Sequence, residues 1–407
     1  MGPKSFIKKD ILAGFVVFII AVPLSLGIAL ASQMPPVSAL VAAVIGGLIV
    51  GAISGAPLVV SGPAAGLSAM VMGYVQEYGL SGMYQITILC GVIQILLSLG
   101  RLGRFIALIP NPILEGVLSA IGFTILLGQL HILLGQEIPG KTFVNILAIP
   151  HSISQASSYL PPFLCGLLAL GIQLLWPRLF PSLRWFPGAL PAVLLGTLAA
   201  MSFPMARVEL GDIFSHMQDG ISSFSLTNQW GLLFIPAFGM ALVASAESLL
   251  TARAIQVLAD KKKLPYRTHM DQELLAQGLG NLCSGVCGGM PITGVMVRSA
   301  ANIESGALTR VSTLVHGGLI ILAAVFVPHF FKMIPLSVLA SILVLIGWRL
   351  LNLFELIHIL RNSPKTIYLW PLTSLAILAT DFLNGFLFAI GFWLVGLGFS
   401  YMRGRAL

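Results

Sequence analysis

The 407-residue sequence is poor in charge: Asp, Glu, Lys and Arg make up only 9% of it, where an ordinary soluble domain carries roughly 25%. That scarcity excludes a water-soluble fold and leaves no stretch polar enough for a separate soluble domain. Cysteine is sparse as well. Cys90, Cys165, Cys283 and Cys287 lie in or beside apolar segments with no C-x-x-C pair and no histidine cluster, so they read as buried free thiols and not as metal ligands. The Walker A loop, the dinucleotide fingerprint and H-E-x-x-H are all missing, which removes support for ATP-driven pumping and metalloproteolysis. No nucleophile and base stand at a spacing that marks an enzyme, and no cofactor is implied.

Hydrophobicity is what the chain has in excess, at 57% of residues. Apolar segments fall at 11–32, 37–54, 62–77, 84–100, 105–135, 159–176, 185–203, 231–259, 271–287, 297–305, 309–327, 335–351, 367–382 and 384–402. A helix needs about 20 mostly apolar residues to cross a bilayer, so the fold class is an all-α polytopic membrane protein with fourteen segments. Lys4, Lys8 and Lys9 before the first run resemble a secretory signal, but that run exceeds the roughly 7–15 residues of a signal core and reads as a first span.

The net charge of +8 is explained by topology and not by nucleic acid. With a cytoplasmic N-terminus and a reversal at every segment, eighteen of the 22 Lys and Arg fall inside. Only Lys141, Arg207 and Lys332 fall outside, and Arg298 lies within the membrane. This is the asymmetry the positive-inside rule requires, and it places the chain in an inner membrane with both termini cytoplasmic.

The polar connection at 204–230 divides seven segments from seven, so the two halves have opposite orientation. Segments three and ten are the short ones, and each follows Gly/Pro-bearing extended sequence. That pairing is the signature of a 7+7 inverted repeat with half-helices at segments 3 and 10, each preceded by a short strand. Val59 and Val60 suit a strand, with Ser61-Gly62-Pro63 as the helix start; Pro291 to Met296 supply the second strand, with Val297-Arg298-Ser299 as its helix start. Two such N-termini facing each other near the midplane offer free amides and two positive dipole ends, a pocket that attracts a small anion.

Glu247 is the acid placed most deeply in the membrane and Arg298 the only basic residue outside the loops. Intramembrane charge marks a functional site, with the group facing the protein interior and paired or protonated. Arg298 is expected to pair with Glu247, with a bound anion, or with each in turn, and a protonatable Glu247 beside it would couple proton movement to anion movement. Glu115, Glu273, Glu304 and Asp381 fall at segment ends, and His316 reads as a satisfied core histidine. Gly47-x-x-x-Gly51-x-x-x-Gly55 is a close-packing face of helix 2.

These residues lead to a resemblance. Asp10-Ile11-Leu12-Ala13-Gly14 with Val22-Pro23, Ser61-Gly62-Pro63-Ala64-Ala65, Glu247-Ser248-Leu249-Leu250, the run from Asp271 to Asn281, Gly288-Gly289 and Arg298-Ser299 together resemble the sulfate permease (SulP) family, the anion-exchanger group that includes prestin and pendrin. The resemblance implies one transporter domain over 1–407, with a core of 11–100 and 231–327 moving like an elevator against a gate of 101–203 and 335–402. It implies an anion site from Pro23, Leu24, Ile28, Ser61, Gly62, Glu247, Thr251, Val297, Arg298 and Ser299, with Glu247 as the coupling residue. The implied substrates are small inorganic anions, sulfate or bicarbonate, carried by proton-coupled symport or exchange; a homodimer is left open. Sodium-coupled relatives place Asp where Glu247 stands and a hydroxyl residue where Arg298 stands, so this chain departs from them toward proton coupling. Most members also append a cytoplasmic STAS domain, and this sequence stops at Leu407 without one. The rival readings are a nucleobase- or ascorbate-type carrier, which would want carboxylates or amides where Val297 and Arg298 stand, and a passive anion channel.

Overall fold

The computed structural model describes residues 3–103, 110–137, 142–155, 160–181, 188–224, 230–264, 267–351, 367–380 and 382–402. Expectations resting on Arg104, Lys141, Arg184, Arg361, Lys365, Asp381, Arg403 and Arg405 lie outside them. In hydrocarbon a helix satisfies its own backbone, and the chain adopts one wherever an apolar run is unbroken. The first is α1 (Pro3–Ala31). Pro36 then sits at the first turn of α2 (Pro36–Ile45), where its missing N–H costs nothing. That helix loosens into a π turn at Gly46–Val50 and ends in Gly51–Ile53. Extended backbone follows as β1 (Ser61–Pro63), then a 3-10 turn, Ala65–Leu67, that leads into α3 (Ser68–Leu99). Within α3, Gly79 has φ of 70°, a conformation that suits glycine and strains an L side chain. It sets a short half-helix, 68–78, apart from the longer run 80–99.

Among the described residues, four helices complete the first half: α4 (Asn111–Leu133), α5 (Thr142–Gln155), α6 (Leu160–Leu179) and α7 (Ala189–Ala200). The second half comprises α8 (Ile213–Phe224), α9 (Trp230–Lys261), α10 (Met270–Val286), β2 (Ile292–Gly294) and α11 (Met296–Glu304). It continues through α12 (Val311–Phe326), α13 (Leu336–Leu350), α14 (Leu369–Ala379) and α15 (Phe382–Met402). Among the described residues, six helices are long and apolar enough to cross a bilayer alone.

The polar connection at 204–230 holds a helix that composition did not reveal. Asp212 starts α8 by accepting from Ser215 N at 2.8 Å and Ser215 Oγ at 3.0 Å, and these hydrogen bonds hold its carboxyl below the usual range. The His216 ring lies 2.8 Å from Ser38 Oγ and 2.9 Å from the Gly288 carbonyl, which pins α8 across the ends of α2 and α10.

Packing sorts the helices into two groups. In one, α10 and α9 lie against α3 while α1 lies against α12, and the strands are enclosed between α2, α9 and α10. In the other, α4 is flanked by α13 and α14, and α6 by α7 and α13. Small residues set the closest approaches. A Cβ added at Gly47 would stand 2.6 Å from Gly317 Cα, and Gly51 faces the Thr313 side chain, so the glycine face of helix 2 is its seam with α12. We expect Gly47→Ala to lower the melting temperature of the purified protein by overpacking that seam, at a cost of about 1–3 kcal/mol. Gly318→Ala, whose methyl group would meet nothing within 4 Å, should melt close to wild type.

Candidate functional site

Extended backbone buried among membrane helices must find every hydrogen-bond partner within the protein. The two short strands pair with each other, antiparallel, with Ser61 opposite Gly294, Gly62 opposite Thr293 and Pro63 opposite Ile292. Val295 N adds a bond to the Val60 carbonyl at 2.9 Å. A two-stranded ribbon still has two open edges, and side chains from three helices close them. Asn281 on α10 accepts from Ile292 N at 2.6 Å and donates to Ile292 O at 3.0 Å. Ser248 on α9 accepts from Gly294 N at 3.1 Å, and Ser299 on α11 accepts from Val60 N at 2.9 Å. Each of these hydroxyls sends its own proton to a carbonyl one turn back, Ala244 O and Val295 O. Asn302 donates to Leu58 O at 3.1 Å.

The antiparallel ribbon sends the two following helices off in opposite directions. It also corrects the expected helix start. Ser61-Gly62-Pro63 forms β1 itself, because its backbone is needed for the ribbon, and the helix begins after it at Ala65. No side chain caps the start of the 3-10 turn, of α3 or of α11. First-turn amides there are therefore not bonded by a capping side chain.

Arg298 is fully buried. Its Nη2 donates to Ser25 Oγ at 3.1 Å and to the Pro63 carbonyl at 3.3 Å, while Nε and Nη1 have no partner. The guanidinium rests on Gly62, where an added Cβ would stand 2.5 Å from Nη1. Glu247 occupies a different place. Its carboxylate lies on Gly66, 2.7 and 2.8 Å from the position of a Cβ there, and Oε2 has no partner. The expected Arg298–Glu247 contact is thus not made: one group sits on Gly62 and the other on Gly66, and the guanidinium turns to Ser25 and Pro63. Thr293, on β2, is the polar side chain facing Glu247.

The remaining residues singled out in the sequence fall as follows. Pro23, Leu24 and Ile28 are buried along α1, Ser61, Gly62 and Ser299 are buried in or on the ribbon, and Thr251 is buried one turn beyond Glu247. Val297 is 57% exposed and stands with Met296 on the outer side of α11, away from the buried Arg298 and Ser299. Glu273 lies in the first turn of α10 but is fully buried, accepting from Ser54 Oγ, from Ala56 N at 3.2 Å and from Gln277 Nε2 at 2.7 Å. His316 is buried with neither ring nitrogen partnered, contrary to the satisfied core histidine expected. All four cysteines are free, Cys90 and Cys165 buried and the other two partly so. Ser25, Ser248, Gln277 and Asn281 were not picked out as site residues. Ser248, Gln277 and Asn281 stood within the family motifs, and their spacing alone says nothing of the ribbon they serve. An open cleft of about 780 Å³ lies elsewhere, at the end of α9, lined by Arg253, Asp260 and Arg267; the ribbon site is closed around its buried side chains.

The ribbon thus stands between two helix starts without side-chain caps, beside a buried guanidinium with open donors. Comparison with known proteins gives the family. Residues 7–373 match the Sulfate permease family, and the chain belongs to it, a family of membrane anion transporters and not of enzymes. YvdB of Bacillus subtilis is 28% identical over 386 residues, 93% of this chain and 71% of that one. The bicarbonate transporter BicA of Picosynechococcus is 26% identical over 375 residues, 88% of this chain and 64% of that one. The chain thus spans about two thirds of these relatives' length. Among solved structures, the transmembrane domain of a cyanobacterial BicA superposes with a TM-score of 0.79 at 24% identity, covering 94% of this chain and 97% of that one. SLC26A9 superposes with a TM-score of 0.81 at 19% identity, covering 98% and 66%.

The ribbon account makes a prediction about stability. Replacing Asn281 with the similarly sized Leu leaves Ile292 N and O buried and unpaired, at about 1–3 kcal/mol for each group. We expect Asn281→Leu to be among the most destabilising single changes in this region, read as a fall in melting temperature in detergent.

Proposed function

We propose that this protein is a secondary transporter of small inorganic anions, sulfate or bicarbonate, which it holds at the crossing of the two half-helices. The observation that carries the reading is the pair of open donors on the buried Arg298, Nε and Nη1, set beside two helix starts that no side chain caps. A buried guanidinium with unused N–H groups is costly unless an acceptor joins it. A small oxyanion provides that acceptor. The substrate classes follow from the names of the relatives, BicA among them.

The finer parts of the proposal rest on the same frame. The chain crosses the membrane fourteen times as a 7+7 inverted repeat, in an inner membrane with cytoplasmic termini. The two packed groups of helices act as core and gate, and the core carries the ribbon and its anion across by an elevator movement. Pro23, Leu24, Ile28, Ser61, Gly62, Thr251, Val297 and Ser299 complete the seat. Glu247, on Gly66 and with an unpartnered oxygen, changes protonation as the seat fills and empties, which gives proton-coupled symport or exchange without requiring contact with Arg298. A passive channel of the same fold would not accumulate its anion, so uptake against a gradient separates the two.

The test is flux into proteoliposomes with sulfate, bicarbonate, chloride and fumarate under imposed proton or sodium gradients. Arg298→Ala should weaken the apparent affinity for the transported anion roughly tenfold to a hundredfold, the range for losing a charge-assisted hydrogen bond. Arg298→Lys should recover part of the loss, since an ammonium cannot keep Ser25 and Pro63 while also donating as a planar guanidinium does. Wild-type affinity in Arg298→Ala would return this residue to holding Pro63 alone. Glu247→Gln should abolish accumulation driven by a pH gradient while leaving anion exchange measurable; an unchanged response to that gradient would remove Glu247 from coupling.

A further inference from the structure

Helix α9 ends in a turn that carries charge. Lys263 has φ of 55°, and the reversal brings Leu264 N back to the Ala259 carbonyl at 3.0 Å, the kind of closing bond that satisfies a last carbonyl. On the turns before it, Arg253, Gln256, Val257 and Asp260 recur three and four residues apart and share one face. Glu247 and Ser248, the α9 residues that meet Gly66 and Gly294, continue along the helix as Thr251, Ile255 and Leu258, which is a different face. The first face therefore does not serve the ribbon.

The segment after the turn meets that face and makes a second wall. Thr268 donates to Gln256 Oε1 from its backbone N at 2.7 Å and from its hydroxyl at 3.0 Å, and Gln256 Nε2 donates to Asp260 Oδ1 at 2.9 Å. Gln256 is spent on joining the walls, and Lys262 is committed to the Ile303 carbonyl at 3.1 Å. The open cleft of about 780 Å³ between the walls is left with two guanidiniums, Arg253 and Arg267, one carboxylate, Asp260, and the apolar Val257, Leu264 and Met270. Its balance is positive, and the exposed Lys261 and Lys263 adjoin it in sequence.

Apolar surface adjoins the charge. Val257 in the cleft is 55% exposed. Met270 packs with Leu97 of α3 on a shared cluster of Ala246, Leu249 and Leu274, and Ser98 Oγ donates to the Asp271 carbonyl at 2.6 Å, so the end of α3 lies beside the cleft. There Leu96 and Leu99 are 62% and 70% exposed. Both helices are long and apolar enough to span a bilayer, and the cleft lies where both spans stop, at Leu99 and Lys261. Basic pockets between helices at that level suit anionic headgroups, and a guanidinium can give a phosphate two parallel N–H bonds. A soluble phosphate would use the arginines alone, whereas a phospholipid also covers Val257, Leu96 and Leu99. A zwitterionic headgroup brings its own cation and gains less from a positive cleft. We propose that this cleft is a lipid site, which seats the phosphate of an anionic phospholipid on Arg253 and Arg267 with an acyl chain along the exposed Val257, Leu96 and Leu99.

The test is the melting temperature of the full chain, purified in detergent and stripped of lipid, across a concentration series of each of three probes. These are dioctanoyl phosphatidylglycerol, dioctanoyl phosphatidylcholine and glycerol phosphate. A ligand of the folded state raises the melting temperature by mass action, and the concentration dependence gives its apparent affinity. We expect phosphatidylglycerol to act at the lowest concentration of the three. The double variant Arg253→Gln, Arg267→Gln should weaken that affinity about tenfold to a hundredfold. Arg178→Gln, which removes an exposed arginine at the end of α6, should bind as wild type does. An equal effect of phosphatidylcholine overturns recognition of an anionic headgroup, and an equal effect of glycerol phosphate overturns the lipid in favour of a soluble phosphate. Unchanged affinity for phosphatidylglycerol in the double variant, or an equal loss in Arg178→Gln, overturns the assignment to this cleft. Should the double variant not purify as a folded protein, Arg267→Gln alone decides: a severalfold loss of affinity supports the proposal and wild-type affinity overturns it.

Discussion

An extended peptide cannot lie in hydrocarbon with its N–H and C=O groups unpaired, and the centre of this protein is arranged around meeting that condition for six residues. The ribbon of Ser61–Pro63 and Ile292–Gly294 meets it on its inner edge by pairing. On its outer edges it depends on Ser248, Asn281, Arg298 and Ser299, each aimed at a particular backbone atom. Were these polar groups scattered over a helical core they would be costly. Matched to a ribbon they are required, and the depth at which they lie follows from where the ribbon lies.

The same condition gives the proposed seat for a charged ligand its place inside an apolar fold. Breaking a membrane span into strand plus half-helix exposes first-turn amides that an unbroken span would have bonded internally. Most of the new polarity is consumed by the ribbon and its supports. The supports take up the ribbon's backbone acceptors, Pro63 O by Arg298, Ile292 O by Asn281 and Leu58 O by Asn302, and Nε and Nη1 of Arg298 are left over as buried donors. Glu247 stands apart on Gly66 and does not neutralise Arg298 by contact.

Rigid support for this centre comes from helix contacts that leave little slack. Asp10 on α1 accepts from Leu308 N at 2.7 Å, Thr309 N at 3.1 Å and Thr309 Oγ1 at 2.6 Å, fixing the approach to α12. A Cβ at Gly14 would stand 2.5 Å from Ser312 O, and one at Gly47 would meet Gly317. Two groups of helices result, joined across α1 with α13 and α3 with α4.

The sequence by itself determined the class. Scarcity of charge, the recurrence of apolar runs and the Gly/Pro interruptions at two corresponding places require a helical membrane protein with broken helices, because hydrophobic length and backbone breakers act locally and are written residue by residue. The burial of Arg298 was legible for the same reason. Tertiary structure alone decided what those residues touch. Whether Ser61-Gly62-Pro63 is a helix start or a strand depends on Ile292–Gly294 arriving beside it from more than 200 residues away. Whether Arg298 meets Glu247 or Ser25 depends on which glycine each side chain settles against. Glu273 looked like a charge at a segment end and proved to be a buried acceptor, since its donors, Ser54 and Ala56, come from the other half of the chain. Hydrogen-bond partners of this kind are fixed by three-dimensional register, which spacing along one helix does not encode.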